Sequence, residues 1–316
     1  VLGVPRLRLG RSVSATEVKK INNISDSIQK IAHEEDFDII HAHDWMSFSQ
    51  AIEIKKLTGK PLVVHVHSTE FDRTGGNNIN QFIYEIEKMG IEKADLVVAV
   101  SNYTKDKIMA HYGTSSQKIK VVHNGLDFFN YKPLDIKAIK HLKGRHKLIL
   151  FVGRLTLQKG PDYFLKAAKK ILEKNKRVRF MITGAGDMQG KIIQEASAMG
   201  LSDKIIFSGF LRDGDLNKVY QLADIYVMPS VSEPFGITAL EAAANRLPVL
   251  ISKQSGVGEI AKHNLRADFW DTEEMANKIL AVLNYNSLRK CLIKYGHDEV
   301  KKITWDVAAK KCSSIY

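Results

Sequence analysis

Short β-branched runs alternate with amphipathic helical stretches along almost the whole chain, and this alternation constrains the fold more than any other feature. The runs are nearly continuous in apolar residues, as expected for strands that are covered on both faces of a parallel sheet. Nine strands are predicted, at residues 38–42, 61–66, 95–100, 118–123, 147–153, 177–184, 204–209, 224–229 and 248–252. Alternating strands and helices predict an α/β fold with doubly wound parallel sheets.

The alternation breaks once, at residues 127–146, where the sequence is polar, carries Pro133 and Gly144 and has no clear strand. A chain of 316 residues is long enough for two doubly wound domains. We therefore place the interdomain linker here. The predicted architecture is two Rossmann-like domains that face a cleft, the first at residues 1–143 and the second at residues 144–302.

The first half looks shorter than the second, with four predicted strands before the linker and five after it. Residues 1–15 resemble a connecting segment that enters a helix near Thr16, with Thr16 as the N-cap. A nucleotide-binding sheet usually opens with a strand and a Gly-rich turn, and neither is present here. We expect an N-terminally incomplete first domain that lacks its opening βα units.

The formal charge of +12 points to a surface rich in lysine, as in residues 164–177. Such a field attracts anionic ligands, for which nucleoside diphosphates and acidic lipid surfaces are the candidates. Membrane association is possible but not favoured. The basic residues are scattered and no recognition motif accompanies them, so nucleic acid is not an expected partner. With no signal-peptide pattern and only two cysteines, Cys291 and Cys312, we expect a cytoplasmic protein.

A candidate diphosphate site follows the strand at residues 147–153. Gly153 lets the backbone turn at the carboxyl end of the strand, where open α/β sheets bind ligands. Arg154 and Lys159 follow within six residues, and Pro161 suits the first turn of a helix. Two cations beside a helix N-terminus favour a phosphate group, although both could be solvated loop residues.

A second candidate anion site follows the strand at residues 224–229. A helix is predicted to start near Pro234 or Phe235, so that the backbone amides of Phe235, Gly236, Ile237 and Thr238 are free for a phosphate. Gly236 has no Cβ to obstruct a ligand.

Two carboxylates flank this predicted helix start, Glu233 before it and Glu241 eight residues further on. Phosphate oxygens repel carboxylates, so the pair suits hydroxyl groups, one on a transferred sugar and one on a ribose. The alternative is structural: Glu233 as a helix-start acid and Glu241 as a salt-bridge partner.

Taken together, these segments resemble the retaining family-4 glycosyltransferases of the GT-B fold. SEPFGITALEAAANRLPVLIS resembles their paired-Glu signature and VGRLTLQKG their Arg-x4-Lys phosphate motif. Further segments match as well: HNGLD at 123–127, ITGAGD at 182–187, SGVGEIAKHNLRADFWD at 255–271 and ITWDVAAKK at 303–311. The resemblance implies that residues 303–316 form a helix that crosses back to the first domain.

The resemblance also assigns roles to the site residues. Arg154 and Lys159 would neutralise the diphosphate of the donor, Glu233 would hold the sugar hydroxyls and Glu241 the ribose. Gly184, in ITGAGD, would lie in a second Gly-rich turn at the nucleotide. The resemblance implies retention of the anomeric configuration. We expect no bound metal, because Arg154 and Lys159 would neutralise the diphosphate, and no cofactor besides the donor substrate, ADP- or UDP-glucose.

The first domain narrows the resemblance to glycogen synthases and their archaeal and bacterial relatives, through HAHDW at 41–45 and VVHVHSTEFDRTGG at 63–76. The resemblance implies that His67, at a strand end, contacts the donor sugar or the charge that develops on it. We interpret His41, His43 and His65 as structural. A metal site in HAHD would lack a third well-placed ligand.

The predicted function is therefore a hexosyltransferase that elongates an α-glucan or another glycosyl acceptor. A lipid-directed or disaccharide-forming transferase remains open, as do a nucleotide-sugar epimerase and a binder of nucleotide sugars without catalysis. A dehydrogenase is disfavoured, because the turn at residues 184–187 lacks the full dinucleotide fingerprint and its downstream acid.

Overall fold

The computed structural model describes residue 32, residues 34–128, residue 131 and residues 134–316. These residues form two separate parallel sheets, one of four strands and one of six. The predicted connecting segment at residues 1–15 and the helix start at Thr16 lie outside the described residues, as do parts of the predicted linker.

The first domain contains the four-stranded sheet, with strand order β1-β2-β3-β4. Its strands are β1 (Ile40–His43), β2 (Leu62–Val66), β3 (Leu96–Ala99) and β4 (Ile119–Val121). Its helices are α1 (Trp45–Thr58), α2 (Glu70–Arg73), α3 (Gln81–Lys93) and α4 (Asn102–Tyr112). Every strand pair is parallel, as the βα alternation predicts.

The second domain contains the six-stranded sheet, with strand order β10-β9-β8-β5-β6-β7. Its strands are β5 (Lys147–Val152), β6 (Val178–Thr183), β7 (Ile205–Gly209), β8 (Ile225–Met228), β9 (Val249–Ser252) and β10 (Leu265–Ala267). The remaining helices are α5 (Lys140–Lys143), α6 (Pro161–Lys174), α7 (Gln189–Ala198), α8 (Asp213–Leu222), α9 (Ile237–Ala244), α10 (Thr272–Asn284), α11 (Asn286–Val300) and α12 (Trp305–Ser313).

The strand order of the second sheet places its ligand-binding edge. From β5 the chain builds outward through β6 and β7 on one side, and then returns to place β8 on the other. Ligands of open α/β sheets bind where the winding reverses, outside the carboxyl ends of the strands. The residues after β5 and β8, which carry both candidate anion sites, therefore lie side by side at this reversal.

The predicted fold class is confirmed, and all nine predicted strands are present with ends displaced by a few residues. Strand β10 was not predicted; it has only three residues and contains Arg266. A run this short and polar carries no strand pattern. It forms because β9 offers a parallel partner, with Leu265 opposite Leu250.

Apolar burial holds each domain together. Helix α6, for example, buries Phe164, Leu165 and Ile171 in the core beneath β5 and β6. Fully burying a side chain of this size contributes about 1.5–3 kcal/mol relative to exposure. This packing fixes the start of α6, and with it the loop that carries Arg154 and Lys159.

The C-terminal residues lie against the first sheet. Ala308 and Cys312 of α12, followed by Ile315, pack on Val63 and Val98 of β2 and β3. The chain thus returns to the first domain after leaving the second. The boundaries at residues 143 and 302 stay predictions. Within the described part of the chain, no helix is both long and apolar enough to cross a bilayer.

Candidate active site between the two domains

Two glycine turns meet at the carboxyl ends of β5 and β6. Gly184 has a φ of 136°, and a Cβ added to it would lie 1.9 Å from the carbonyl oxygen of Gly153. Only glycine fits so close to another backbone. Gly186 approaches the backbone of Leu155 in the same way, with an added Cβ 2.3 Å from its carbonyl oxygen. The turns thus shape each other, and they position the chain that leads into Arg154.

A third glycine joins the loops that follow β5 and β8. Gly160 has a φ of 63°, and an added Cβ would lie 2.2 Å from the carbonyl oxygen of Pro229. Nearby, the amide of Val231 donates a 2.9 Å hydrogen bond to the carbonyl of Gln158. Lys159, between these two contacts, is therefore held against the loop that leads to Glu233.

Lys159 and Glu233 form an ion pair, with Nζ 2.6 Å from Oε2. The carboxylate is buried and also accepts a 3.2 Å hydrogen bond from Ser230 Oγ. The backbone of Glu233 is fixed as well, since its amide donates to Gln254 and its carbonyl accepts from Gly256. The structure thus joins a residue predicted to bind the diphosphate to one predicted to bind the sugar, a contact that sequence reasoning did not foresee.

Arg154 behaves differently from Lys159. Its side chain is exposed, and Nη2 lies 3.4 Å from Oε1 of Gln158, a long hydrogen bond. Its role at the diphosphate stays a prediction.

Helix α9 begins at Ile237, two to three residues later than predicted from the sequence. The carbonyls of Pro234 and Phe235 instead accept hydrogen bonds from outside the helix, from Ser101 Oγ and from the amide of Val257. Gly236, at a φ of 113°, is the N-cap, and no side chain caps the helix. The amides that begin this helix therefore keep the orientation required for an anion.

Phe235 and Thr238 also have packing roles that the sequence did not indicate. The Phe235 ring is buried in the core of the second domain. Thr238 Oγ1 accepts a 2.8 Å hydrogen bond from the hydroxyl of Tyr226. Any contact of Phe235 with a phosphate therefore uses the backbone.

Glu241 lies one turn into α9, where it accepts a 2.9 Å hydrogen bond from the Tyr220 hydroxyl. Burial raises the pKa of Glu241 above its usual value, and the Tyr220 hydrogen bond opposes the rise. Glu233 and Glu241 thus occupy different environments, the first paired with a lysine and the second with a tyrosine.

His67 follows β2 at the carboxyl end of the first sheet. Its amide donates a 2.8 Å hydrogen bond to Asp44 Oδ1, and its Nε2 lies 2.9 Å from Nδ1 of His43. Burial lowers the pKa of His67, the carboxylate of Asp44 opposes this, and His43 adds to it. The imidazole is thereby favoured in its neutral form, and Asp44 fixes the turn that carries it.

The first domain also clamps the loop that carries Glu233. Ser232 Oγ donates a 2.6 Å hydrogen bond to Oδ1 of Asp72. Lys107 Nζ lies 2.8 Å from both of these oxygens. Asp72 is fully buried, and the ammonium of Lys107 helps to hold its pKa below the usual range although burial alone would raise it. Two residues of the first domain therefore position the loop of the second domain that carries Glu233.

A second cross-domain contact surrounds Glu259. Its carboxylate accepts hydrogen bonds from the amides of Asn102 and Tyr103, 2.9 and 2.8 Å long, and lies 2.8 Å from Nε2 of His123. Burial alone would raise the pKa of Glu259, but these hydrogen bonds lower it to about 2. The carboxylate thus binds the start of α4 to the second domain.

Sequence reasoning missed most of this interface. Ser101 follows β3 and caps α4, so the rule that sites gather at strand ends could have identified it. Asp72 gave a weaker signal, as the third helical residue of the capping box begun by Thr69. Lys107 gave no signal in the sequence, because a lysine on a helix is expected to be solvent-exposed unless its partner is known.

Two known families match this chain. Residues 134–299 match the family Glycosyl transferases group 1, and residues 7–128 match Glycosyltransferase Family 4. Together the two matches span both domains and meet close to the predicted linker.

Three relatives illustrate the range of similar proteins. An uncharacterized glycosyltransferase of Methanocaldococcus jannaschii is 33% identical over 294 residues, which are 89% of this chain and 75% of that protein. A D-inositol 3-phosphate glycosyltransferase of Rhodococcus opacus is 25% identical over 86% of this chain and 65% of its own length. A glycogen synthase of Mycobacterium tuberculosis is 30% identical over 70% of this chain and 53% of its own length. The chain thus spans less than two thirds of the last two proteins.

Solved structures match the fold. Sucrose-phosphate synthase from Thermosynechococcus elongatus superposes with a TM-score of 0.84 at 20% identity, covering 96% of this chain and 79% of that one. Anabaena HepE, in complex with UDP and glucose, gives a TM-score of 0.80 at 18% identity, covering 92% of this chain and 80% of that one. Both likenesses concern the GT-B arrangement of two parallel-sheet domains.

Proposed function

Because this chain belongs to the group 1 glycosyltransferases, with a family 4 glycosyltransferase segment in its first half, we propose that it moves a hexosyl group from a nucleoside diphosphate sugar to a glycosyl acceptor. The observation that carries the proposal is the Lys159–Glu233 ion pair at the reversal of the second sheet. A cation and a carboxylate held together there match a ligand that has a diphosphate at one end and hydroxyl groups at the other.

The ion pair is a resting arrangement in this account. An incoming diphosphate offers Lys159 a stronger anionic partner, so Nζ leaves Glu233 and turns to the phosphate. Glu233 is then free to accept hydrogen bonds from the sugar hydroxyls. Binding of the whole donor therefore exchanges one buried contact for two.

Bond cleavage places negative charge on the leaving diphosphate. Lys159, Arg154 and the amides at the start of α9 would stabilise this charge more in the transition state than in the ground state. No step requires a metal ion in this scheme, since cationic side chains and amides supply the counter-charge. Glu241 would hold the ribose and His67 the far side of the sugar, and we propose transfer with retention of the anomeric configuration.

An α-glucan is the acceptor that we favour, and glucose from ADP- or UDP-glucose is the transferred sugar. The likeness of HAHDW and HSTEFDRTGG to glycogen synthases supports this choice, as does the glycogen synthase among the relatives. Anabaena HepE, whose structure holds UDP and glucose, supports a glucosyl nucleotide as donor.

A smaller, phosphorylated acceptor is the second candidate. Relatives named D-inositol 3-phosphate glycosyltransferase and mannosylfructose-phosphate synthase favour it, and the net charge of +12 would attract such an acceptor.

A transfer assay on the complete reading frame tests these alternatives. ADP- and UDP-glucose are each offered with glycogen, glucose, inositol phosphate and a lipid extract, and with no acceptor. We expect radiolabelled glucose to enter glycogen. Incorporation only into inositol phosphate, glucose or lipid would move the proposal to that acceptor class. Conversion of glucose to an epimer without any acceptor would indicate an epimerase, and binding of nucleoside diphosphate without any turnover would contradict catalysis.

A further inference from the structure

Four histidines lie side by side on one face of the first sheet. His41 and His43 belong to β1, while His65 belongs to β2 and His67 follows it. The parallel register pairs His43 with His65, and residues two apart on a strand share a face. The rings of His41 and His43 stack with centroids 4.6 Å apart, and those of His65 and His67 with centroids 4.3 Å apart.

Three of these side chains converge. One ring nitrogen from each of His41, His43 and His65 lies within 4.8 Å of the other two. Nε2 of His41 is 3.3 Å from Nδ1 of His65. Two nitrogens bound to one tetrahedral zinc ion, each at about 2.0–2.1 Å, are about 3.3 Å apart. This pair already has the spacing of two ligands of one ion, and the exposed His43 can close the set by turning its ring.

The surroundings support a bound ion. The other nitrogen of His41, Nδ1, forms a hydrogen bond with the hydroxyl of Tyr316. Metal-binding histidines usually have such a partner, which fixes the ring and the tautomer. His65 is buried, so the surrounding core holds its ring in place beside His41.

Packing alone does not require imidazoles at these positions. Val63 and Val98 cover the same face beside the cluster with ordinary apolar side chains, against which α12 packs. Apolar residues at 41 and 65 would extend this surface without leaving polar atoms inside.

We propose that His41, His43 and His65 bind one divalent transition-metal ion of the zinc class, which links β1 to β2. Three imidazoles with water as the fourth ligand form an established type of open zinc site. Imidazole nitrogen selects zinc, copper and nickel over magnesium and calcium. The third ligand, His65, comes from the neighbouring strand and is therefore absent from the segment HAHD itself. This site is separate from the diphosphate site, and it adjoins the proposed sugar site through His43, whose Nδ1 lies 2.9 Å from Nε2 of His67.

Metal uptake by purified protein without a histidine tag tests the proposal. After treatment with a chelator, the protein is titrated with Zn²⁺ by calorimetry and with Co²⁺ by visible absorption, in the absence of nucleotide sugar. We expect one ion per chain. The substitution His43→Ala, at an exposed position, should weaken binding at least tenfold, and Tyr316→Phe about 10–100-fold. His263→Ala, at an exposed histidine outside the cluster, should bind as the parent does.

Equal Zn²⁺ affinity in the parent and in His43→Ala would overturn the proposal, as would the absence of binding at micromolar Zn²⁺. Mg²⁺ bound as tightly as Zn²⁺ would also overturn it, because imidazoles do not select magnesium. Circular dichroism checks that each variant is folded. Since the readout is metal uptake, a failure of glycosyl transfer would leave this result unaffected.

Discussion

Lys159 Nζ lies 2.6 Å from Oε2 of Glu233, across 74 residues of sequence. The contact depends on Gly160, whose backbone touches Pro229 and so draws the two loops together. A cation that we propose binds the diphosphate is thereby kept next to a carboxylate that we propose binds the sugar. Only a ligand that carries both groups satisfies both side chains once they separate.

Glu233→Gln separates the two roles of this pair. The amide keeps the size of the side chain but no longer competes for the Lys159 ammonium. We expect affinity for free UDP to be unchanged or increased, while transfer from UDP-glucose falls by a factor on the order of 100. Calorimetry and a transfer assay measure the two effects. A large loss of UDP affinity would contradict the resting-pair interpretation.

Lys107→Ala tests the clamp between the domains. The substitution leaves the fully buried carboxylate of Asp72 without its cation. Removing one partner of a buried pair costs about 3 kcal/mol or more, and the loop at Ser232 should loosen. The free energy of unfolding measured in urea should decrease by this amount, and kcat should fall. Lys120→Ala, at an exposed position on β4, is the control. Equal stability of the two variants would refute the clamp.

Gly184→Ala and Gly190→Ala form a matched pair. A methyl group at Gly184 would lie 1.9 Å from the carbonyl of Gly153 and would occupy a φ of 136°. At Gly190, within α7, nothing lies within 4 Å. The first substitution should destabilise the protein by about 1–3 kcal/mol or more, and the second should stabilise it by up to about 1 kcal/mol. Thermal or urea unfolding distinguishes them, and similar effects would be inconsistent with the packed turns.

Acid should weaken the Glu259 contact. The folded-state pKa of about 2 lies below the usual 4.5, so the group adds stability above pH 4.5 and loses that contribution as the pH falls toward 2. Between pH 6 and pH 3, the free energy of unfolding should therefore fall more steeply for the parent than for Glu259→Gln. If the free energy of unfolding varied with pH in the same way for both proteins, Glu259 would make no such contribution to stability.

The fold was predictable because its signals are local. Apolar runs such as residues 147–153 and 177–184 identify buried parallel strands without any knowledge of their neighbours. Strand β10 could not be predicted from the sequence, because its formation depends on pairing with β9 rather than on its own three residues.

The site was predictable only in part. Lys159 and Glu233 could be singled out by their places after strands, but their contact depends on a backbone approach between Gly160 and Pro229. The clamp of Asp72 and Lys107 on Ser232 depends on how the two domains meet, and no local pattern encodes that. For the same reason, the cluster of His41 and His65 became visible only when the sheet placed β1 beside β2.

Lys159→Ala, compared with Lys166→Ala in the complete enzyme, tests the central claim most directly. Lys166 lies seven residues further on, on α6, where it pairs with Asp162 near the surface, so its loss controls for charge. Removing one charge-stabilising donor lowers turnover by about 100–1,000-fold in other enzymes. We expect kcat for transfer from UDP- or ADP-glucose to fall by a factor on the order of 100 in Lys159→Ala and to stay near the parent value in Lys166→Ala. Near-normal turnover in Lys159→Ala would contradict the account.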